Sequence, residues 1–213
     1  TGMTGSGTIT VDSTAGFSTS GTLQISDEIF TYTGISTFAF TGVTRATSST
    51  TAANHATDDT VSESWTQRDT DRTSASKYNF ERFNFDGNDK LILVDGANAP
   101  VVFNSAMSAT DVSESAVSGS KFVAAYRNHM FYAGKSTTPQ EVVFSEPLDE
   151  DDFDAADGAG SIKVDDTIVG LKAFRDSLFI FCENRIFKLT GSSLSDFAVQ
   201  PVTRNIGCIN GDT

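Results

Sequence analysis

The chain has 213 residues, enough for one large or two small domains with a real core. Its formal net charge of −13 comes without a cluster of Lys and Arg, which argues against a nucleic-acid groove that works by displacing counterions. Two cysteines, Cys182 and Cys208, are too few for a disulfide scaffold, and no apolar run approaches the ~18 residues of a membrane helix.

Residues 7–62 read as a first unit. Thr8-Ile9-Thr10-Val11, Thr22-Leu23-Gln24-Ile25 and Glu28-Ile29-Phe30-Thr31-Tyr32-Thr33 alternate as half-buried strands do, and Phe38-Ala39-Phe40-Thr41-Gly42-Val43 follows Gly34. Four short strands with Gly or Asp at the corners predict a small β-sandwich or barrel. Ala46–His55, rich in Ser, Thr and Ala, is expected to cross back over it. Residues 63–77 are polar apart from Trp65 and read as a linker or a lone crossing strand.

From 78 to 213 the chain repeats itself. Ala125-Tyr126-Arg127-Asn128-His129-Met130-Phe131 is echoed 48 residues later by Ala173-Phe174-Arg175-Asp176-Ser177-Leu178-Phe179, each reading as strand, polar turn, strand. A looser copy runs from Phe85 to Ile92. Strand repeats at a period of roughly 40 to 50 residues predict a partial β-propeller of antiparallel blades, so the whole chain is expected to be all-β. In Tyr78–Phe85 the aromatics switch from even to odd positions, which predicts a β-bulge near Glu81-Arg82. Leu91-Ile92-Leu93-Val94 is apolar on both faces, as the middle of a stacked blade should be. The second repeat places strands at Phe122–Tyr126, Met130–Ala133 and Val142–Ser145. The third places them at Ile168–Phe174, Leu178–Cys182 and Arg185–Leu189, with Cys182 as a buried thiol. Phe197-Ala198-Val199 and Val202 are expected to start a fourth blade, and Asp149–Ala156 could form one acidic helical turn. A closed propeller needs roughly four to eight blades. With three and a fraction visible and Thr1 in place of an initiator Met, the chain is expected to be part of a longer polypeptide.

Several strings resemble structural proteins of tailed bacteriophages. Arg127–Gly134, Pro139, Val142–Pro147, the acidic loop with Phe153, Gly170-Leu171, Leu178–Phe181 and Arg185–Gly191 are similar to β-propeller proteins of the phage tail, of the tail tubular, nozzle or stabilisation type. The first unit resembles a small β module of phage virion proteins through Gly16-Phe17, Gly21–Ile25, Asp27-Glu28, Tyr32–Gly34, Thr41–Arg45 and Thr51–Ala56. The resemblance implies a virion component that assembles into a ring with other tail proteins, with no catalytic residues and no cofactor. The chain is shorter than such nozzle proteins.

The residues offer little independent chemistry. His55 and His129 have no His or Cys at metal-ligand spacing, and His129 is expected to sit solvated in a turn. Asp149, Asp151, Asp152, Asp154 and Asp157 could offer carboxylates to Ca²⁺, but the EF-hand order is not met and a solvated or docking loop is the simpler reading. Gly158-Ala159-Gly160 and Gly5-Ser6-Gly7 lack the context of a phosphate cradle. Neither the repeated turn of sialidase-type propellers nor G-x-S-x-G is present, so a propeller hydrolase ranks last. Arg127, Asn128, Arg175 and Asp176 are read as structural repeat turns, with the guanidinium groups expected on corner carbonyls. The favoured reading is a non-enzymatic, ring-forming tail protein without membrane insertion, whose acidic channel would repel DNA phosphates and let the genome slide. The alternative is a glycan- or receptor-binding tail module using Ser/Thr-rich loops and Trp65.

Overall fold

A computed structural model describes residues 7–64, Asp69, Arg72 and 77–209. Most of the 63–77 segment, including Trp65, and the Gly5-Ser6 pair lie outside the described residues. The described residues are all-β: they form antiparallel strands in several small open sheets and contain no helix. The acidic stretch after Pro147 therefore makes turns where one helical turn was expected. The chain divides into two units, Thr1–Gln67 and Arg68–Thr213.

The first unit has six strands: β1 (Gly7–Thr10), β2 (Gly21–Ile25), β3 (Glu28–Tyr32), β4 (Gly34–Ser36), β5 (Ala39–Val43) and β6 (Val61–Glu63). They pair as two three-stranded sheets, β1-β5-β4 and β3-β2-β6. The short β4 and β6 have too few residues to show a period and were not legible in the sequence. Leu23 and Ile25 alternate with Thr22 and Gln24, so β2 sends one row inward. That row joins Ile9, Phe30, Tyr32, Phe40 and Val43 in one core shared by both sheets.

The second unit has three four-stranded sheets, each an up-and-down meander. The first holds β7 (Asn79–Phe83), β8 (Lys90–Val94), β9 (Val101–Phe103) and β10 (Ala109–Asp111). The second holds β11 (Phe122–Tyr126), β12 (His129–Ala133), β13 (Glu141–Phe144) and β14 (Gly160–Lys163). The third holds β15 (Ile168–Phe174), β16 (Ser177–Cys182), β17 (Ile186–Thr190) and β18 (Ala198–Thr203). Phe197–Val202 thus supplies the outer strand of the third sheet and does not start a fourth. Opening strands are neighbours: β11 lies against β7 on one side and β15 on the other.

The second sheet is covered on both faces. Val123, Met130 and Tyr132 pack with Phe83, Ile92, Val94 and Val102 of the first sheet. Ala124, Tyr126, Phe131, Val142 and Phe144 pack with Ile168, Leu178, Ile180, Cys182, Phe187 and Leu189 of the third. Burial on both faces explains why β12 is buried at every residue, including His129. The solvated turn position expected for His129 is therefore wrong: it opens the strand, and its ring lies edge-on to Phe131, Phe144 and Phe197. Its Nδ1 is 2.6 Å from the Ser145 carbonyl, so Nδ1 carries the donated proton and Nε2 is left without a partner. Cys182 is buried as expected, and desolvation pushes its thiol up to about 12.

The predicted bulge at Glu81-Arg82 is absent, because β7 and β8 pair in unbroken register from Asn79 to Phe83. The sheet resolves the aromatic switch differently. Phe80 stays exposed on one face, Phe83 is buried on the other, and Phe85 lies beyond the strand end.

Candidate functional site

The most fully built polar constellation is in the first unit. Glu28 opens β3 with its side chain fully buried. A buried carboxylate must find donors, and here the segment after β5 supplies them. Arg45 grips both oxygens, Nε to Oε1 at 2.9 Å and Nη2 to Oε2 at 2.6 Å. The Ala46 and Ala53 amides donate at 3.1 and 2.9 Å, and His55 Nε2 stands 2.8 Å from Oε2. Because a carboxylate only accepts, His55 is held as the Nε2–H donor. The loop itself is pinned to β3: Thr47 donates twice to the Ile29 carbonyl, and the Ile29 amide donates to Thr50 Oγ1. Ala46, Ser48 and Ser49 adopt positive φ to wrap the carboxylate, a conformation that costs energy in non-glycine residues.

The electrostatics follow from the geometry. The Arg45 guanidinium, with help from the Ala53 amide, His55 and the Ala46 amide, holds the Glu28 carboxyl down at about 2 despite the opposing effect of burial. Such a group remains ionised and fully engaged, so it is a clasp and not a general base near neutral pH. Arg45 also lies 5.6 Å from the centroid of the Phe30 ring, and the His55 ring is 5.5 Å from that of Phe30. Beside the clasp runs an open groove of about 880 Å³, lined among others by Phe30, Arg45, His55, Asp58 and Asp59. His55 Nδ1 has no hydrogen-bond partner and is 3.7 Å from Asp59.

The repeat turns of the second unit are brought together in space. Arg127 and Asn128 both have positive φ, the geometry of a type I′ hairpin turn, whereas at the echo only Arg175 does. Tyr126 ends β11 and donates its hydroxyl to the carbonyls of Asp176 and Gly191 at 2.8 and 3.0 Å. Arg127 reaches the Asp176 carboxylate at 3.4 Å, where a carbonyl partner was expected, and it also lies over the Tyr126 ring. Arg175 lies over the Phe174 ring. The turn of one repeat thus locks onto the turn of the next.

The aspartates of the acidic loop mostly cap their own backbone. Asp149 accepts the Asp151 amide, Asp152 the Asp154 amide and Asp154 the Ala156 amide. The Asp149 carboxyl beside Asp151 pushes the latter up to about 6, while Asp149 itself is lowered. Among the described residues no three His, Cys, Asp or Glu side chains, these aspartates included, converge as metal ligands. The residue that matters for packing is Glu150, which the sequence reading passed over. It takes the Lys90 ammonium at 2.8 Å, and its carbonyl accepts the Tyr132 hydroxyl at 2.9 Å, tying the second sheet to the first.

The Glu28 clasp was also not singled out as a site. Its members nevertheless fall in the strings Asp27-Glu28, Thr44-Arg45 and Ala53-Asn54-His55 that carry the resemblance of the first unit. A carboxylate at a strand start, with an arginine just past a later strand, was the available signal. Among the described residues, no helix is long and apolar enough to cross a membrane. No protein-family model and no curated protein matches this chain.

Proposed function

We propose that this chain is a structural component of a phage virion tail. In this reading it is a small β module followed by blades of a β-propeller, assembled in a nozzle-like or adaptor-like ring with other tail proteins. The observation that carries the reading is the stacking of three consecutive four-stranded meanders, with opening strands adjacent and the Tyr126 turn bonded to the Asp176 turn. That is how blades succeed one another around a propeller axis. The work is mechanical: hydrogen-bonded strands give a stiff wall, and the charge of −13 suits a conduit through which DNA passes without sequence-specific binding. In the first unit Glu28, Arg45, Ala53 and His55 of the resemblance-bearing strings build one buried clasp, which supports reading those strings as a folded module.

Quantitative mass spectrometry of gradient-purified particles from the source tests this. The chain should be present at a fixed multiple per virion and should co-purify with tails after head removal. Its absence from particles would end the proposal. The second reading, a glycan-binding tail module, would use the groove beside His55. Reproducible micromolar sugar binding on a glycan array, lost on filling that groove, would favour it.

A further inference from the structure

The two inter-sheet interfaces inside the second unit are built from equivalent positions, and at the two ends of the stack the corresponding rows are half-buried, with Phe80 and Phe174 exposed. Tyr126, which ends β11, is 5% exposed because the third sheet covers it, and Phe83, which ends β7, is 5% exposed beneath the second sheet. The third copy of that position, Phe174, is 59% exposed. On the same face Phe179 and Phe181 alternate with the buried Leu178, Ile180 and Cys182, and their rings stack at 6.4 Å. Ile186 stands in register with Phe181 and extends the row onto β17. At the opposite end, Phe80, Leu91, Leu93 and Phe103 lie on the face of the first sheet turned away from the second. Phe80 is 66% exposed. They stand where Val123, Met130 and Tyr132 of the second sheet meet their neighbour.

One end is therefore the half-interface that the chain twice completes internally, and the other is its matching half. We propose that a second copy of this chain docks head-to-tail, the Phe174–Phe179–Phe181 face of one copy on the Phe80–Leu93 face of the other. This continues the stacking already seen between the sheets. A contact of this kind covers the apolar face at one end of the stack with the matching face at the other. The inference rests on reading the three sheets as propeller blades.

Sedimentation velocity over a concentration series tests it, using the whole chain, Phe80→Lys and Phe174→Lys. Both sites are exposed, so the variants should keep the wild-type circular dichroism. Phe80→Ser and Phe174→Ser serve where a lysine disturbs folding. The wild type should form a dimer of 22.7 kDa chains. Each variant alone should associate at least about thirtyfold more weakly. An equimolar mixture of the two variants should recover a dimer, because one interface then joins two unaltered faces. A wild type that stays monomeric at the highest attainable concentration overturns the inference. So does association that Phe174→Lys abolishes and Phe80→Lys leaves intact, which would mean a symmetric face-to-face contact. A monomeric chain found in virions sinks the docking and leaves the tail assignment standing; a dimer absent from virions does the reverse.

Discussion

The two units reach order by opposite means. The first gathers a short core around a buried charge, with Glu28 held by Arg45, His55 and two amides drawn from a loop that has no regular structure. The second gains its core by repetition, each sheet face covered by the next through residues at equivalent positions. A small unit with two three-stranded sheets has little apolar area, so a loop anchored on one carboxylate supplies cohesion that packing alone does not. A stack of sheets covers its own inner faces, with buried acids such as Glu150 and Asp166 pinning loops beside them, and among the described residues its two end sheets have a sheet neighbour on one face only.

The sharpest way to break this contrast is to remove the buried charge. Glu28→Gln removes the buried charge that Arg45, His55 and two amides hold and should destabilise the first unit by about 3–5 kcal/mol, read from its own step in urea unfolding, while the second unit keeps its midpoint. The same carboxyl should govern acid sensitivity. Its folded value of about 2 lies below the ordinary 4.5, so its stabilisation is complete above the ordinary value and fades as pH falls through that range toward 2. An acid titration that follows the first unit's own unfolding step should show that loss, and Glu28→Gln should lose less over the same window. In the second unit Phe131→Ala opens a hole between the second and third sheets and should also cost about 3–5 kcal/mol, this time leaving the first unit unmoved. Tyr126→Phe keeps the ring but frees the Asp176 and Gly191 carbonyls, for about 1–2 kcal/mol in thermal unfolding. Arg127→Ala is the smallest change. Its pair with Asp176 is long and mostly in water, so the thermal transition should not measurably move.

What could be read in advance follows the same division. The inner strands of the three sheets were legible because a strand–turn–strand string recurs, and Arg127-Asn128 occupies the hairpin corner that such a string implies, whereas the outer strands β10 and β14 were not seen and β18 was assigned to a further blade. The buried state of His129 was not legible, because a polar residue after a turn looks solvated until two neighbouring sheets are known to cover its strand. The bulge expected near Glu81 failed because the aromatics need not share one face: Phe80 is exposed on one side of an unbroken strand and Phe83 is buried on the other. In the first unit, alternation revealed β2 and β3, but the clasp joins residues 17 to 27 positions apart through a loop with no period. Sequence spacing carries no record of such an arrangement.

Cryo-electron microscopy of the source particle decides whether this chain, as proposed, builds part of a tail wall. The expected map shows a ring at the tail into which the three stacked sheets fit, with the Tyr126 and Asp176 turns at the same rim. A tail map with every ring accounted for by other chains would contradict it.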